Sequence, residues 1–163
     1  MASTVSAATL TITITEGITL NGLDYGDTNT LTIGSINEVS SRIVNVDTSA
    51  NRTLLAFGSA VGTGQYIVAN TKYIRITNLD DTNYAELILN ATEGSDGLGG
   101  SLYPGTIMKL EAGKSFMLGL PNGGYGADNS SSEVATADLA SLISVKAKAN
   151  TAAVDLQVFV ASI

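Results

Sequence analysis

The sequence predicts an all-β protein, an antiparallel β-sandwich or jelly roll of roughly eight to ten strands with an N-terminal arm. Apolar and polar residues alternate over many short runs, whereas few stretches keep a helical period for three turns. Turn residues, among them 17 glycines, separate these runs at spacings of about 8–12 residues, which is typical of sandwiches and barrels. The chain has 163 residues, 44% of them hydrophobic, so it is long enough to bury a core without a metal or a disulfide.

The first strands are predicted near the N-terminus. Residues 9–15 place leucine and isoleucine on one face and threonine on the other, where β-branched side chains pack well. Asn21 and Gly22 follow a second short run and supply turn chemistry, because both residues tolerate positive φ. A longer strand is predicted over residues 35–46, with valines in phase near its end.

The polar start of the chain stands outside this pattern. We predict a flexible N-terminal arm over residues 1–9 and a single β-sandwich domain over residues 10–163. The start carries no positively charged segment followed by an apolar run, so no secretory leader is predicted. The absence of cysteine fits synthesis in a reducing cytoplasm.

The clearest predicted hairpin lies in the middle of the chain. Residues 72–77 place Ile74 and Ile76 on one face, and the polar residues 78–83 can form a turn. Residues 84–89 return with their apolar side chains in phase. We therefore predict that these two strands pair as antiparallel neighbours.

The first of the remaining predicted strands is a short apolar run, and the later ones place their apolar residues in phase. They are predicted over residues 53–58, 106–110, 115–120, 142–148 and 154–160. The strand over residues 115–120 is predicted to return beside the one over residues 106–110. In the strand over residues 142–148, Ile143, Val145 and Ala147 are predicted to face inward.

Composition excludes several kinds of chemistry. Without cysteine or histidine there is no thiolate nucleophile, no Ser-His-Asp triad and no imidazole or thiolate metal ligand. A formal net charge of -7 argues against nucleic-acid binding, which depends on clustered lysine and arginine. No apolar run is long enough for a membrane helix. The sequence therefore predicts a protein that is not an enzyme and uses no cofactor, nucleic acid or membrane.

Two groups of acidic residues offer alternatives to that prediction. Asp80, Asp81 and Asn83 offer oxygen ligands to a cation such as calcium, but they lack calcium-loop spacing and a turn explains them. Carboxylates in Gly-rich loops could support glycoside hydrolysis if they converged, namely Glu93, Asp96 and Asp128. Nothing fixes their separation, and the chain has no Trp for a sugar platform, so the prediction is solvated loop carboxylates without a metal or catalytic site.

Five side chains are predicted to form a partner-contact surface. Tyr73 and Arg75 point outward from the predicted central hairpin, with Tyr84 across the turn, and such residue types are enriched at interfaces. Lys146 and Lys148 lie on the outward side of a later strand. Cross-strand pairing on a solvent face and protection of a sheet edge are the alternative interpretations.

Two stretches resemble a recurrent pattern in virion proteins of tailed bacteriophages. Lys72 to Tyr84 resembles a strand with an ITNL-type ending followed by an Asp/Ser-Thr-Asn-Tyr/Phe turn. Leu110 to Leu118 resembles the L-x-A-G-K/E-x-F/A-x-L strand pair that usually follows it. The resembling region covers roughly residues 66–120, and residues 1–65 match less clearly.

This resemblance implies a β-sandwich or jelly roll that assembles on a phage particle. The implied role is capsid decoration, in which a cement protein, often a homotrimer, binds the major capsid protein on the virion surface after synthesis in the host cytoplasm. The alternatives are a tail, adaptor or spike module of a phage, and a carbohydrate-binding β-sandwich. The resemblance transfers no catalytic residues.

Overall fold

The computed structural model describes residues 5–60, 62, 64–91, 94–95, 101–102, 105–119 and 142–163. In these residues the regular secondary structure consists of β-strands without a helix. The strands are β1 (Ala8–Glu16), β2 (Thr19–Leu20), β3 (Leu23–Asp24), β4 (Asp27–Ile36), β5 (Glu38–Val46), β6 (Arg52–Gly58), β7 (Tyr66–Ile67), β8 (Thr71–Asn78), β9 (Ala85–Ala91), β10 (Gly94–Ser95), β11 (Ser101–Leu102), β12 (Gly105–Leu110), β13 (Ser115–Gly119), β14 (Leu142–Ala149) and β15 (Val154–Ser162). The prediction of an all-β protein is confirmed.

Two sheets form the body of the protein. One has five strands in the order β12-β9-β14-β6-β7, and the other has four in the order β13-β8-β15-β5. Neighbouring strands are antiparallel, except that the short β7 runs parallel to β6. The predicted antiparallel sandwich is therefore confirmed.

The strand order is that of a jelly roll. Among the eight longer strands of the two sheets, the first in the chain pairs with the last, β5 with β15, and the second pairs with the seventh, β6 with β14. The third pairs with the sixth, β8 with β13, and the fourth with the fifth, β9 with β12. A strand ribbon wrapped in this way places consecutive strands in opposite sheets, except for β9 and β12, which pair with each other in the five-stranded sheet.

The core lies between the inner faces of the two sheets. The side chains fully enclosed there come from both sheets and include Leu54, Leu55, Ile74, Ile76, Leu87, Leu89, Val145, Leu156, Val158 and Val160. Because successive strand residues point to opposite faces, the alternating pattern in the sequence identifies most of these residues. Each such side chain contributes roughly 1.5–3 kcal/mol on burial.

The predicted central hairpin is wrong in its pairing. β8 and β9 both exist, but β8 belongs to the four-stranded sheet and β9 to the five-stranded sheet. The same holds for β12 and β13, which were predicted to lie side by side. The alternating pattern is satisfied equally by a hairpin and by a corner between two sheets, because both direct the apolar side chains into one core.

Asn78 anchors the corner between β8 and β9. Its side-chain amide donates to the carbonyl of Asn83 at 2.8 Å and to the carbonyl of Leu110, in the opposite sheet, at 3.3 Å. Its side-chain oxygen accepts from the backbone N–H of Asp80 at 3.0 Å. One fully buried amide therefore fixes the turn and joins the two sheets at this end of the sandwich.

Two further predictions need correction. The strand predicted over residues 35–46 is two strands, because β4 ends at Ile36 and β5 begins at Glu38. Ile143 was predicted to face inward but is 44% exposed, because the pairing of β14 with β9 shifts register between Leu142 and Ser144. A bulge of this kind reverses the side on which a residue points.

Candidate interaction surfaces

Residues 8–36 form a β-hairpin arm outside the two main sheets. β1 and β4 make a two-stranded sheet of their own, and β2 and β3 continue the same register to the turn. Asn21 and Gly22 have φ values of 53° and 80°, the left-handed backbone of a tight two-residue hairpin turn. The predicted arm over residues 1–9 thus overlaps a much longer arm, and its first four residues lie outside the described part of the chain.

The register gives the arm two chemically different sides. Cross-strand partners share a side because side chains alternate along each strand. The apolar side pairs Leu10 with Ile33, Ile12 with Leu31, Ile18 with Tyr25, and Leu20 with Leu23. The threonine side pairs Thr11 with Thr32, Thr13 with Thr30, and Thr15 with Thr28.

The base of the arm lies against the outer face of the four-stranded sheet. Ile33 and Ile36 are 4% exposed and pack in a second apolar cluster with Tyr73 and Ala161. Gly119 in β13 permits this approach, because a methyl group added there would lie 2.8 Å from Cδ2 of Leu31. The half of the apolar side nearest the sandwich is therefore covered by the chain itself.

Aromatic contacts complete the surface under the arm. The Tyr73 and Phe159 rings meet edge to face with centroids 6.0 Å apart, and the Arg75 guanidinium lies 5.6 Å from the Phe159 centroid. Arg75 also donates to the side chain of Gln157 at 3.2 Å. Burial raises the pKa of the Tyr73 hydroxyl.

The outer half of the arm is uncovered. We call residues 17–26 the arm tip, and its four large apolar side chains continue the apolar side of the ribbon. Their exposed fractions are 56% for Ile18, 57% for Leu20, 61% for Leu23 and 60% for Tyr25. These contiguous exposed apolar side chains make the arm tip a candidate contact surface.

Carboxylates border the apolar tip. Glu16 and Asp27 lie directly opposite each other in the ribbon, on the same side as the apolar residues, and Asp24 lies on the other side. The first basic residue of the whole chain is Arg42, so every charged side chain of the arm is acidic. Like charges directly opposite one another destabilise an antiparallel pair, and a cationic partner would relieve this.

The outer face of the five-stranded sheet carries apolar and basic side chains together. In one row across the sheet Ile107 faces Ile88, which faces Lys146. In the next row Lys109 faces Glu86, which faces Lys148. We call these six residues the lysine face; Ile107 is 63% exposed, and three of the five lysines of the chain lie here.

Lys109 is the lysine of this face with the most contacts. Its Nζ lies 2.7 Å from the Glu111 carboxylate and 4.2 Å from the centroid of the Tyr84 ring. The hydrogen bond to Glu111 raises the pKa of Lys109. Among the described residues this is the only ion pair, so Lys146 and Lys148 form none there.

The structure separates the five predicted contact residues into two groups. Tyr73 and Arg75 do point out of the sandwich, but they lie under the arm, and Tyr73 is 6% exposed. Tyr84, Lys146 and Lys148 belong to the five-stranded side of the sandwich or its rim. Sequence reasoning missed the arm tip, although its Asn-Gly turn between apolar residues is a strong hairpin signal.

The Asp80 turn has the geometry of a structural turn. The backbone N–H groups of Asn83 and Thr82 donate to the Asp80 carboxylate at 2.5 Å and 2.8 Å and hold its pKa below the ordinary value. The described residues contain no group of three or more acidic side chains placed to hold a metal ion. Glu93, Asp96 and Asp128 lie outside the described residues.

A polar groove of about 370 Å³ lies between β5 and the connection from β6 to β7. Several of its polar groups are engaged within the chain. Arg42 donates to the carbonyl of Leu54, and the Tyr66 hydroxyl donates to Ser40 at 2.9 Å. Filling the groove would require a ligand to compete with these internal hydrogen bonds.

Comparison with known proteins gives no similarity from which to argue: no family model, curated protein or solved structure matches the chain. In the residues that the structure describes, no helix is long and apolar enough to cross a membrane. The interaction surfaces are therefore interpreted from their own geometry.

Proposed function

We propose that the chain is a non-catalytic structural protein of a phage virion, which decorates and reinforces the capsid by binding the major capsid protein. The observation that carries this proposal is the arm tip, where four large apolar side chains are 56–61% exposed. Exposed apolar surface on an ordered ribbon becomes favourable when a neighbouring protein covers it. In this proposal the protein is an oligomer, with a trimer as the expected form, on the outer surface of the virion.

The jelly roll supports a mechanical role. Its two sheets are closed against each other by side chains that are almost fully buried, and strands distant in sequence are paired. Such a body resists local opening, because separating one strand exposes core residues from both sheets. A rigid body with a projecting arm suits a protein that joins neighbouring subunits of a shell.

The two stretches that resemble virion proteins lie together in the fold. Thr77 of the first stretch is paired with Ser115 of the second in the ladder of β8 and β13. Their hydroxyl groups lie 2.8 Å apart. The strand portions of both stretches, in β8 and β13, therefore lie side by side in the four-stranded sheet.

Copy number per particle tests this proposal. The chain would be produced together with the proteins encoded beside its reading frame, and assembled particles would be quantified by mass spectrometry. Decoration predicts on the order of hundreds of copies per particle, because every capsid subunit offers an equivalent site. Particles without the chain would overturn the proposal, and about a dozen copies or fewer would instead indicate a tail, adaptor or spike module.

The matched binding experiment uses preformed particles that lack the chain. Wild-type protein should co-sediment with them, and a variant with Leu20→Asp and Leu23→Asp should not, because charge at the tip removes the apolar contact by which a neighbouring protein, either a capsid subunit or another copy of the chain in the bound oligomer, covers it. Ile43→Asp is the control, since Ile43 is 63% exposed on β5 but outside the arm. Equal binding by all three proteins would contradict a role for the arm.

A further inference from the structure

We propose that the arm tip of one copy of this chain docks on the lysine face of a second copy. This inference goes beyond the proposed function and does not depend on it, because it concerns contacts of the chain with itself. In this contact the two exposed surfaces, the arm tip and the lysine face, cover each other. Three observations support it: the tip repeats the apolar side that already packs on a sheet, its charges complement those of the lysine face, and the arm and the lysine face lie on opposite sides of the sandwich.

The apolar side of the arm indicates what covers the tip. Near the sandwich this side lies on a β-sheet face, with Leu31 against Gly119 and Ile33 in the cluster with Tyr73. The same side continues in register to Ile18, Leu20, Leu23 and Tyr25. Between the two apolar halves the same side carries Asn29, Glu16 and Asp27. The side-chain spacing is the same in both halves, so the outer half fits a second sheet face as the inner half fits the first.

The charges at the two surfaces are complementary. The tip is bordered by Glu16, Asp24 and Asp27, and residues 1–41 contain no Lys or Arg. The lysine face combines apolar Ile88 and Ile107 with three lysines and one carboxylate, Glu86. Lys109 is already paired with Glu111, whereas Lys146 and Lys148 form no ion pair among the described residues. Such pairing steers association and disfavours incorrect partners.

The same charges argue against the symmetric alternative. If two tips met each other, their apolar residues would be covered, but six carboxylates from the two copies would surround the contact without a basic residue from either arm. Juxtaposed like charges oppose such a contact. Docking on the lysine face covers the same apolar residues and places carboxylates near ammonium groups.

The contact must form between two molecules. The arm lies against the outer face of the four-stranded sheet, whereas the lysine face is the outer face of the five-stranded sheet, on the opposite side of the sandwich. The last arm residues beside the sandwich are Ile14 and Asn29, which line a groove with Tyr73 and Met117. From there the ribbon runs about 23 Å to its turn, at about 3.3 Å per residue.

A contact between two different surfaces leaves one of each free on a pair of molecules. Further copies can therefore add, and the assembly closes into a ring if the rotation between neighbours allows it. A closed trimer is one such ring. The contact also predicts that association weakens as salt concentration rises, because exposed charge pairs are screened.

Sedimentation equilibrium of the purified full-length chain tests this proposal. Wild-type protein should self-associate at concentrations up to about 1 mM, which detects contacts of about 4 kcal/mol or more. A tip variant, Leu20→Asp with Leu23→Asp, should lower the association constant at least about thirtyfold, the effect of losing one hot-spot side chain. A face variant, Lys146→Glu with Lys148→Glu, should lower it at least about tenfold.

Mixing the two variants is the decisive measurement of this experiment. Each variant retains one intact surface, so an equimolar mixture should form a one-to-one dimer although each variant alone is monomeric. This result also shows that both variants are folded. Ile43→Asp serves as the control and should associate as the wild type does.

The remaining outcomes overturn the proposal. A wild-type chain that stays monomeric at about 1 mM has no such contact. Association that is lost in the tip variant but unchanged in the face variant indicates contact between tips. Association that survives in both variants indicates another interface, and variants that do not pair when mixed exclude docking of tip on face.

Discussion

At the scale of single residues, a few polar side chains hold the corners of the sandwich. Asn78 is fully buried, and its hydrogen bonds reach the backbone of the turn and of the opposite sheet. Asp80, at the start of the same turn, accepts from two backbone N–H groups. These contacts direct the chain from one sheet to the other, so they determine a connection that the apolar pattern leaves undetermined.

Replacing Asn78 tests this role. Asn78→Ala leaves the buried carbonyl of Leu110 and the half-buried backbone groups of Asp80 and Asn83 without their partner, and we expect a loss of roughly 2–4 kcal/mol in the free energy of unfolding. Urea denaturation measures this change. Asn45→Ala is the control, because Asn45 donates to Asp155 at the exposed surface, and it should change stability by less than about 0.5 kcal/mol. Equal effects of the two substitutions would contradict the anchoring role.

The Asp80 turn makes the free energy of unfolding depend on pH in the acidic range. Hydrogen bonds from Asn83 and Thr82 lower the pKa of Asp80 in the folded state, so the carboxylate stabilises the fold above the unfolded value of 3.8. This contribution is lost as the pH falls through the lower folded pKa. Asp80→Asn should therefore flatten the fall in stability below about pH 4, measured by urea denaturation at a series of pH values. Asp81→Asn controls for net charge, and an Asp80→Asn profile as steep as wild type would refute the argument.

At the scale of elements, the arm is a regular two-stranded ribbon whose two strands approach each other closely at Gly26. Gly26 lies where the ladder of β1 and β4 gives way to the tip. A methyl group added at Gly26 would lie 2.5 Å from the carbonyl oxygen of Glu16 and 3.2 Å from Cα of Gly17. Because the crowding atoms belong to the backbone, the strands themselves would have to separate.

Gly26→Ala should therefore loosen the tip without unfolding the sandwich. The amide of Tyr25, which donates to the Ile18 carbonyl at 2.9 Å, should exchange with solvent about tenfold to a hundredfold faster. Amides of β8 and β15 should keep their protection. Gly34→Ala is the control, because no atom lies within 4 Å of the added carbon, and it should leave the exchange rate of the Tyr25 amide unchanged. Faster exchange of this amide in the control as well would show that the arm is generally unstable.

The same scale shows what the sequence can predict. Alternation located β1, β8, β9 and most core residues, and a short apolar run located β6, because burial of a strand's side chains leaves a local pattern in the sequence. It predicted hairpins where the chain instead crosses from one sheet to the other. The strands that actually pair, such as β5 and β15, lie far apart in the sequence. Local patterns carry no information on pairing at that distance.

The interaction surfaces were predicted in part for the same reason. Lys146 and Lys148 were assigned an outward position from the alternation of their own strand. Tyr73 was assigned an outward position in the same way, but that pattern could not show that the arm, some 40 residues earlier in the chain, lies over it. Which outward face is covered depends on long-range packing.

At the scale of the whole molecule, charge is distributed unevenly. The formal net charge is -7, yet three of the five lysines lie on one outer face while the arm carries only acidic residues. A molecule with basic and acidic surfaces on different sides is suited to ordered association with copies of itself or with the subunits of a shell. Both the proposed structural role and the proposed self-association require that another polypeptide covers the arm tip in the functional state.

Photocrosslinking from position 25 measures this most directly. Tyr25, which is 60% exposed, would be replaced by benzoylphenylalanine in the full-length chain, and Ile43, 63% exposed, would be replaced as the control. In associated protein and in particles that contain the chain, position 25 should crosslink to a second polypeptide, and position 43 should not. Position 25 crosslinking only within its own chain, or no more than position 43, would contradict the central claim.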